Sequence, residues 1–163
     1  MAAFVVDTNV PIVANGKSHP DPTCVIACVD ALLGVRSDGV IVIDDAMLIL
    51  NEYLDHLTLR GEPGAGDAFM KWVWTVQGDE NRCDRVMITP FIDNGVENFA
   101  EFPDDPDLAA FDRSDRKFVA VALTSRRNPA ILNAVDSDWA ENHAALERNG
   151  VIVRFLCPQH THP

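Results

Sequence analysis

Phe4-Val5-Val6-Asp7-Thr8-Asn9 opens with a short apolar run that stops on a carboxylate, and the same design returns along the chain. Val40-Ile41-Val42-Ile43 runs into Asp44-Asp45, and Ile131-Leu132-Asn133-Ala134-Val135 runs into Asp136-Ser137-Asp138. Val86-Met87-Ile88-Thr89 and Val151-Ile152-Val153-Arg154-Phe155 are two further β-branched runs. Strands covered on both faces read as continuous apolar runs, whereas half-exposed strands alternate. These runs therefore predict five buried strands. Between them, helical patterns cover Thr23 to Leu33, Asp45 to Leu59, Gly66 to Val76, Ser114 to Ser125 and Trp139 to Arg148. Strands alternating with helices predict βαβ units, an α/β class and a mainly parallel sheet with helices on both sides.

The 163 residues, 47% hydrophobic and 23% charged, suit one core and leave no room for two full domains. No run approaches the roughly 18 apolar residues needed to span a membrane, and Asp7 interrupts the N-terminus before a signal-peptide apolar region forms. The four cysteines lack the density of a secreted scaffold, so a reduced, cytoplasmic protein is expected. The net charge of −12 argues against an unaided, non-specific nucleic-acid binder, because such proteins are held to phosphate by basic surfaces. It leaves open an enzyme whose acids hold metal ions. Positive charge is concentrated late in the chain, where a phosphate-facing surface is expected.

In parallel α/β sheets, ligands gather beyond the carboxyl ends of the strands, near the point where strand order reverses. Asp7, Asp44 and Asp136 follow strands at that edge. Glu52 on the second long helix and Asp115 at the start of the fourth add to it, with Asp112 three residues before Asp115. Clustered carboxylates repel unless cations are bound, and an all-oxygen ligand set favours Mg²⁺ or Mn²⁺. Metal-assisted phosphodiester hydrolysis is the chemistry that follows. Against this stands the plainer role of an Asp after a strand, which is to cap the next helix. That role suits Asp44, Asp45 and Asp138 at least as well. Asp112 equally suits a solvated helix-start charge. The joint placement of Asp7, Glu52, Asp115 and Asp136 favours the metal.

Phe4-Val-Val-Asp-Thr-Asn-Val10 resembles the opening of PIN-domain nucleases, the group that includes the toxin ribonucleases of bacterial VapBC toxin–antitoxin pairs. Asp115-Arg-Lys-Phe-Val-Ala-Val-Ala122 resembles that family's acidic helix start, and Leu132-Asn-Ala-Val-Asp-Ser-Asp-Trp139 its late strand ending in Asp-x-Asp-aromatic. The resemblance implies a three-layer α/β/α sandwich with a five-stranded parallel sheet, forming one PIN-like domain over residues 1–157 with a tail at 158–163. It implies Mg²⁺- or Mn²⁺-dependent endoribonuclease activity. Asp7, Glu52, Asp115 and Asp136 match the family's four acids, while Asn9, Asp112 and Asp138 stand in supporting positions. An RNA substrate, an antitoxin protein and a homodimer through the early helices are the implied partners. Ala134 departs from the Ser or Thr common two residues before the last acid. Residues 61–105 form a longer central segment than in minimal members, with an extra loop expected from Phe91 to Pro106. An inert PIN-like scaffold that binds RNA or a protein is the alternative reading.

Arg113, Arg116 and Lys117, beside Asp115, are the expected RNA contacts; Arg126 and Arg127 lie at the far end of the same helix. The rival role for all five is to solubilise that helix. Asn9 removes the second acid of an aspartyl phosphatase, and no Walker loop, Gly-x-Gly-x-x-Gly or Gly-x-Ser-x-Gly is present. Cys24 and Cys28 share a helix face and read as core. Cys157, His160 and His162 read as part of a frayed tail. Trp72 and Trp74 fall on different helix faces, so one is expected at an interface.

Overall fold

The structure, a computed structural model, describes residues 1–18 and 21–161. Along the chain come β1 (Ala3–Val6), α1 (Asn9–Ala14), α2 (Pro22–Asp38), β2 (Val40–Asp44), α3 (Leu48–His56), α4 (Ala65–Val76) and β3 (Cys83–Val86). A hairpin of β4 (Pro90–Asp93) and β5 (Val96–Phe99) follows, then α5 (Arg116–Thr124), β6 (Ala130–Asn133), α6 (Ser137–Glu141), α7 (His143–Arg148), β7 (Ile152–Phe155) and α8 (Pro158–Thr161). Single 3₁₀ turns span Pro106–Leu108 and Arg113–Asp115.

The main sheet has the order β3-β2-β1-β6-β7 and every pairing is parallel. Successive strands step outward from β1 to β3, then the chain returns to place β6 on the other side of β1. The helices α1, α2 and α4 pack against one another on one face, and α5 lies over β1, β2 and β6 on the other. The result is the expected α/β class, with a five-stranded parallel sheet flanked by helices as in a three-layer sandwich. The reversal of strand order falls between β1 and β6, whose carboxyl ends lead to Asp7 and Asp136.

The central strands β1, β2 and β6 are buried almost throughout, as their apolar runs predict. The edge strands differ. Strand β3 lies three residues before the expected run, because an edge strand with one exposed face carries alternating residues such as Asp84 and Arg85 rather than a continuous apolar stretch. Met87, inside the expected run, is exposed. The segment expected as a loop from Phe91 is an antiparallel hairpin turning at Asn94-Gly95, both with positive φ, the backbone that an Asn-Gly hairpin turn requires. The expected last helix is two, α6 and α7, meeting at Asn142.

Asp44 is buried and acts as a cap: its carboxylate accepts from the backbone N–H groups of Ala46, Leu48 and Ile49, closing the start of α3. Asn15 performs the same service for α4, accepting from the N–H groups of Gly66 and Asp67. The two backbones approach so closely there that a Cβ on Gly66 would stand 2.0 Å from the carbonyl oxygen of Pro11. Backbone cannot yield as a flexible side chain does. Gly66→Ala is expected to destabilise the fold by at least about 1–3 kcal/mol, measured by urea unfolding; an unchanged midpoint would mean that α1 and α4 can part freely.

Residues 157–161 do not form the expected frayed tail. Cys157 is buried and disulfide-bonded to Cys24 of α2, and His160 on α8 pairs with Asp21 at 2.7 Å. This corrects the expectation of four reduced cysteines; Cys28 and Cys83 are free and buried. His162 lies outside the described residues. Trp72 packs beside Phe69 and carries Arg82 over its ring, whereas Trp74 is exposed. Among the described residues no helix is long and apolar enough to cross a membrane.

Candidate metal centre

Asp7 leaves β1 with its side chain buried and both oxygens engaged. Oδ1 accepts from the N–H of Asn9 at 3.0 Å, and Oδ2 accepts from the indole Nε1 of Trp139 at 2.7 Å. Asp136 caps α6, its Oδ1 accepting from the N–H of Asp138. Asp115 ends the 3₁₀ turn that leads into α5 and is buried. One carboxylate oxygen from each of Asp7, Asp115 and Asp136 lies within 4.8 Å of the others. Sequence positions more than a hundred residues apart thus meet at the β1/β6 switch point.

The supporting residues hold that geometry. Asn9 staples the two strand ends: its Nδ2 donates to Asn133 Oδ1 and its Oδ1 accepts from the N–H of Ala134. With the amide of Ala134 so used, its small side chain is simply buried. Asp138 accepts from the N–H of Asp112 and from Asn142, which ties the 3₁₀ turn to α6. Asp112 spends its own carboxylate on Ser114, through both N–H and hydroxyl.

Glu52 stands outside the close trio. Its Oε1 pairs with Lys117 Nζ at 2.7 Å and its Oε2 accepts a short hydrogen bond from the Thr8 hydroxyl. It lies near enough for its charge to act on Asp7. Lys117 also donates to the carbonyl of Ser114, so it is an internal tie of the site rather than a free cation. Arg116 corrects the expectation more sharply. It is buried, its guanidinium donating to the carbonyls of Leu108, Ala109 and Phe111 and to Asn98 while lying over the Phe102 ring. It holds the 108–111 segment in place. Arg113 is different: its Nη1 is buried without a hydrogen-bond partner, beside a polar cavity of about 470 Å³ lined by Phe91, Asn98, Phe102 and Asp104. A second, apolar groove of about 450 Å³ lies against α2 and is lined by none of Asp7, Glu52, Asp115 and Asp136.

Trp139 and Thr8 are the contributors that sequence reasoning passed over. The aromatic after Asp-x-Asp signals only core, and nothing local says that its indole N–H reaches the first strand.

Burial dominates the electrostatics. It pushes Asp7 up to about 7, against the lowering pull of its bonds from Asn9 and Trp139, with Asp136 and Glu52 adding repulsion. Burial pushes Asp115 up to about 9, reinforced by the charges of Asp7 and Asp136. Both groups bind protons more tightly folded than unfolded, so their contribution to stability is complete below about pH 4 and is lost as pH rises through 7 and 9. Asp21 and Asp105, held down to about 2 by His160 and Arg148 respectively, act only below that window. Metal-free protein is therefore expected to melt at progressively lower temperature from pH 5 to pH 9. Excess Mn²⁺ should flatten that slope by favouring the ionised trio. A slope unaltered by Mn²⁺ in thermal scans would separate the acids from any cation.

Asp7 and Asp136, hydrogen-bonded into position, and the buried Asp115 bring like charge together and suit a hard divalent cation. Comparison of the chain with protein-family models, curated proteins and solved structures gave no match.

Proposed function

We propose that the protein is a divalent-metal-dependent endoribonuclease of PIN type, and the observation that carries this reading is the convergence of Asp7, Asp115 and Asp136 at the switch point of a parallel sheet. These three acids hold Mg²⁺ or Mn²⁺, with Glu52 at the margin. The cation, when bound, supplies Lewis-acid activation of water and of the phosphodiester. The chain's own residues do the rest. Trp139 and Asn9 fix Asp7, Asp138 braces the turn that presents Asp115, and Lys117 restrains Glu52. Arg113, in the turn before α5 and lining the polar cavity there, offers the exposed part of its guanidinium to the substrate phosphate as a charge-assisted contact. Cytoplasmic location, pairing with an antitoxin and self-association belong to the same proposal.

The test is cleavage of a synthetic RNA by purified protein with Mn²⁺ or Mg²⁺, with chelator as control and Asp7→Asn as the variant. Loss of cleavage in both supports the reading; cleavage that survives both overturns it. A second reading, a scaffold that binds RNA without cutting, draws on the engagement of Glu52 by Lys117 and Thr8. Calorimetric titration with Mn²⁺ separates the two, since the scaffold needs no saturable binding dependent on Asp7 and Asp115.

A further inference from the structure

Cys24, Cys28 and Cys157 form a second cluster, on α2 and the segment between β7 and α8. Their three sulfurs lie within 4.8 Å of one another and all three residues are fully buried. Two are joined as a disulfide and the third is a free thiol. We propose that this cluster is a redox-gated site for one thiophilic d¹⁰ cation, Zn²⁺ or Cu⁺, closed while Cys24 and Cys157 are bonded and opened by their reduction.

Geometry is the first support. Thiolates bound to one such cation at about 2.3 Å stand about 4 Å apart, within the spread already present, so Cys28 is in place and only the two bonded sulfurs must separate. Donor chemistry is the second, because sulfur ligands select copper and zinc over Mg²⁺ and Mn²⁺. The site therefore does not compete with the carboxylate trio for its ion. Position is the third. Cys24 lies in the first turn of the 17-residue α2, whose N-terminal dipole favours the negative charge of a thiolate–metal group. Cys28 lies one turn further along the same face. Burial pushes the Cys28 thiol up to about 12, so it stays protonated until a cation displaces the proton.

The chemistry balances with a dithiol reductant. The dithiol is oxidised to its disulfide, and its two electrons and two protons convert the Cys24–Cys157 bond into two thiols. Uptake of the cation then releases the three thiol protons to solvent. During this exchange α8 stays docked through His160 and Asp21 and its packing on α6. Disulfide and metal are mutually exclusive occupants of one position.

The experiment uses the full chain and Cd²⁺ as probe, read by the ultraviolet sulfur-to-cadmium charge-transfer band, which carboxylates do not produce. Oxidised protein should give no band. Protein reduced by a phosphine, with four free thiols verified by titration, should give a band that saturates at one equivalent. Cys28→Ser should abolish the stoichiometric band, with Cys28→Ala as a second variant and circular dichroism to verify folding. Cys83→Ser should retain it. Resistance of the disulfide to reduction in the folded chain, no saturable band after reduction, or a band unchanged in both Cys28 variants would each overturn the proposal.

Discussion

Asp115→Asn should make the metal-free protein more stable while removing metal-stimulated RNA cleavage. The two effects arise from one cause. Asp115 is buried beside Asp7 and Asp136, and its carboxyl is pushed up to about 9 because ionisation there is opposed by burial and by both neighbours. Unfolding frees it to ionise at its ordinary value, so at pH 8 the native state carries a cost that asparagine does not. Each pKa unit of such displacement corresponds to about 1.4 kcal/mol. The variant should gain at least that much at pH 8 by urea or thermal unfolding, and the gain should fade as pH drops below the ordinary carboxyl value of 3.8, where both states of the natural chain become protonated. Cleavage should fall by more than about 100-fold, because the loss removes one of three ligands from the cation. Stabilisation without loss of cleavage would place the chemistry elsewhere. Loss of both would show Asp115 to be structural.

Arg113 and Arg116 stand three residues apart on the same turn, and their alanine variants should separate completely. Arg116→Ala removes a buried guanidinium that satisfies the carbonyls of Leu108, Ala109 and Phe111 and stacks over Phe102. The carbonyls lose their donor and the ring its cation, so destabilisation of about 3 kcal/mol or more is expected in denaturant unfolding. Arg113→Ala removes an N–H that has no partner within the protein. Stability should hold to within about 0.5 kcal/mol, while RNA cleavage should drop about 10- to 100-fold, the worth of one charge-assisted bond to phosphate. Equal behaviour of the two variants in both assays would remove the distinction between a brace and a substrate contact.

The sequence by itself determined the central strands, because residues covered on both faces are apolar unless hydrogen-bonded, and β1, β2 and β6 are apolar up to the buried, hydrogen-bonded Asp44 and Asn133 at two of their ends. It also determined that Asp7 and Asp136 leave the sheet at one edge, since parallel strands all end in the same direction. Edge strand β3 was less legible: with one face in water its residues alternate, and the apolar run beside it belongs to the connection. The hairpin turn at Asn94-Gly95 was written locally but lay inside a segment read as a loop.

Only the tertiary structure decided which charges are free. Arg113, Arg116 and Lys117 look alike along the chain, yet one is unpartnered at Nη1, one is consumed by three carbonyls, and one is tied to Glu52. The reach of Trp139 to Asp7 and the meeting of Cys24 with Cys157 are likewise contacts across 132 and 133 positions. Local pattern encodes burial and period, which depend on a residue and its near neighbours. A hydrogen bond, an ion pair or a disulfide depends on what the crossovers bring alongside, and that exists only once the chain has closed on itself.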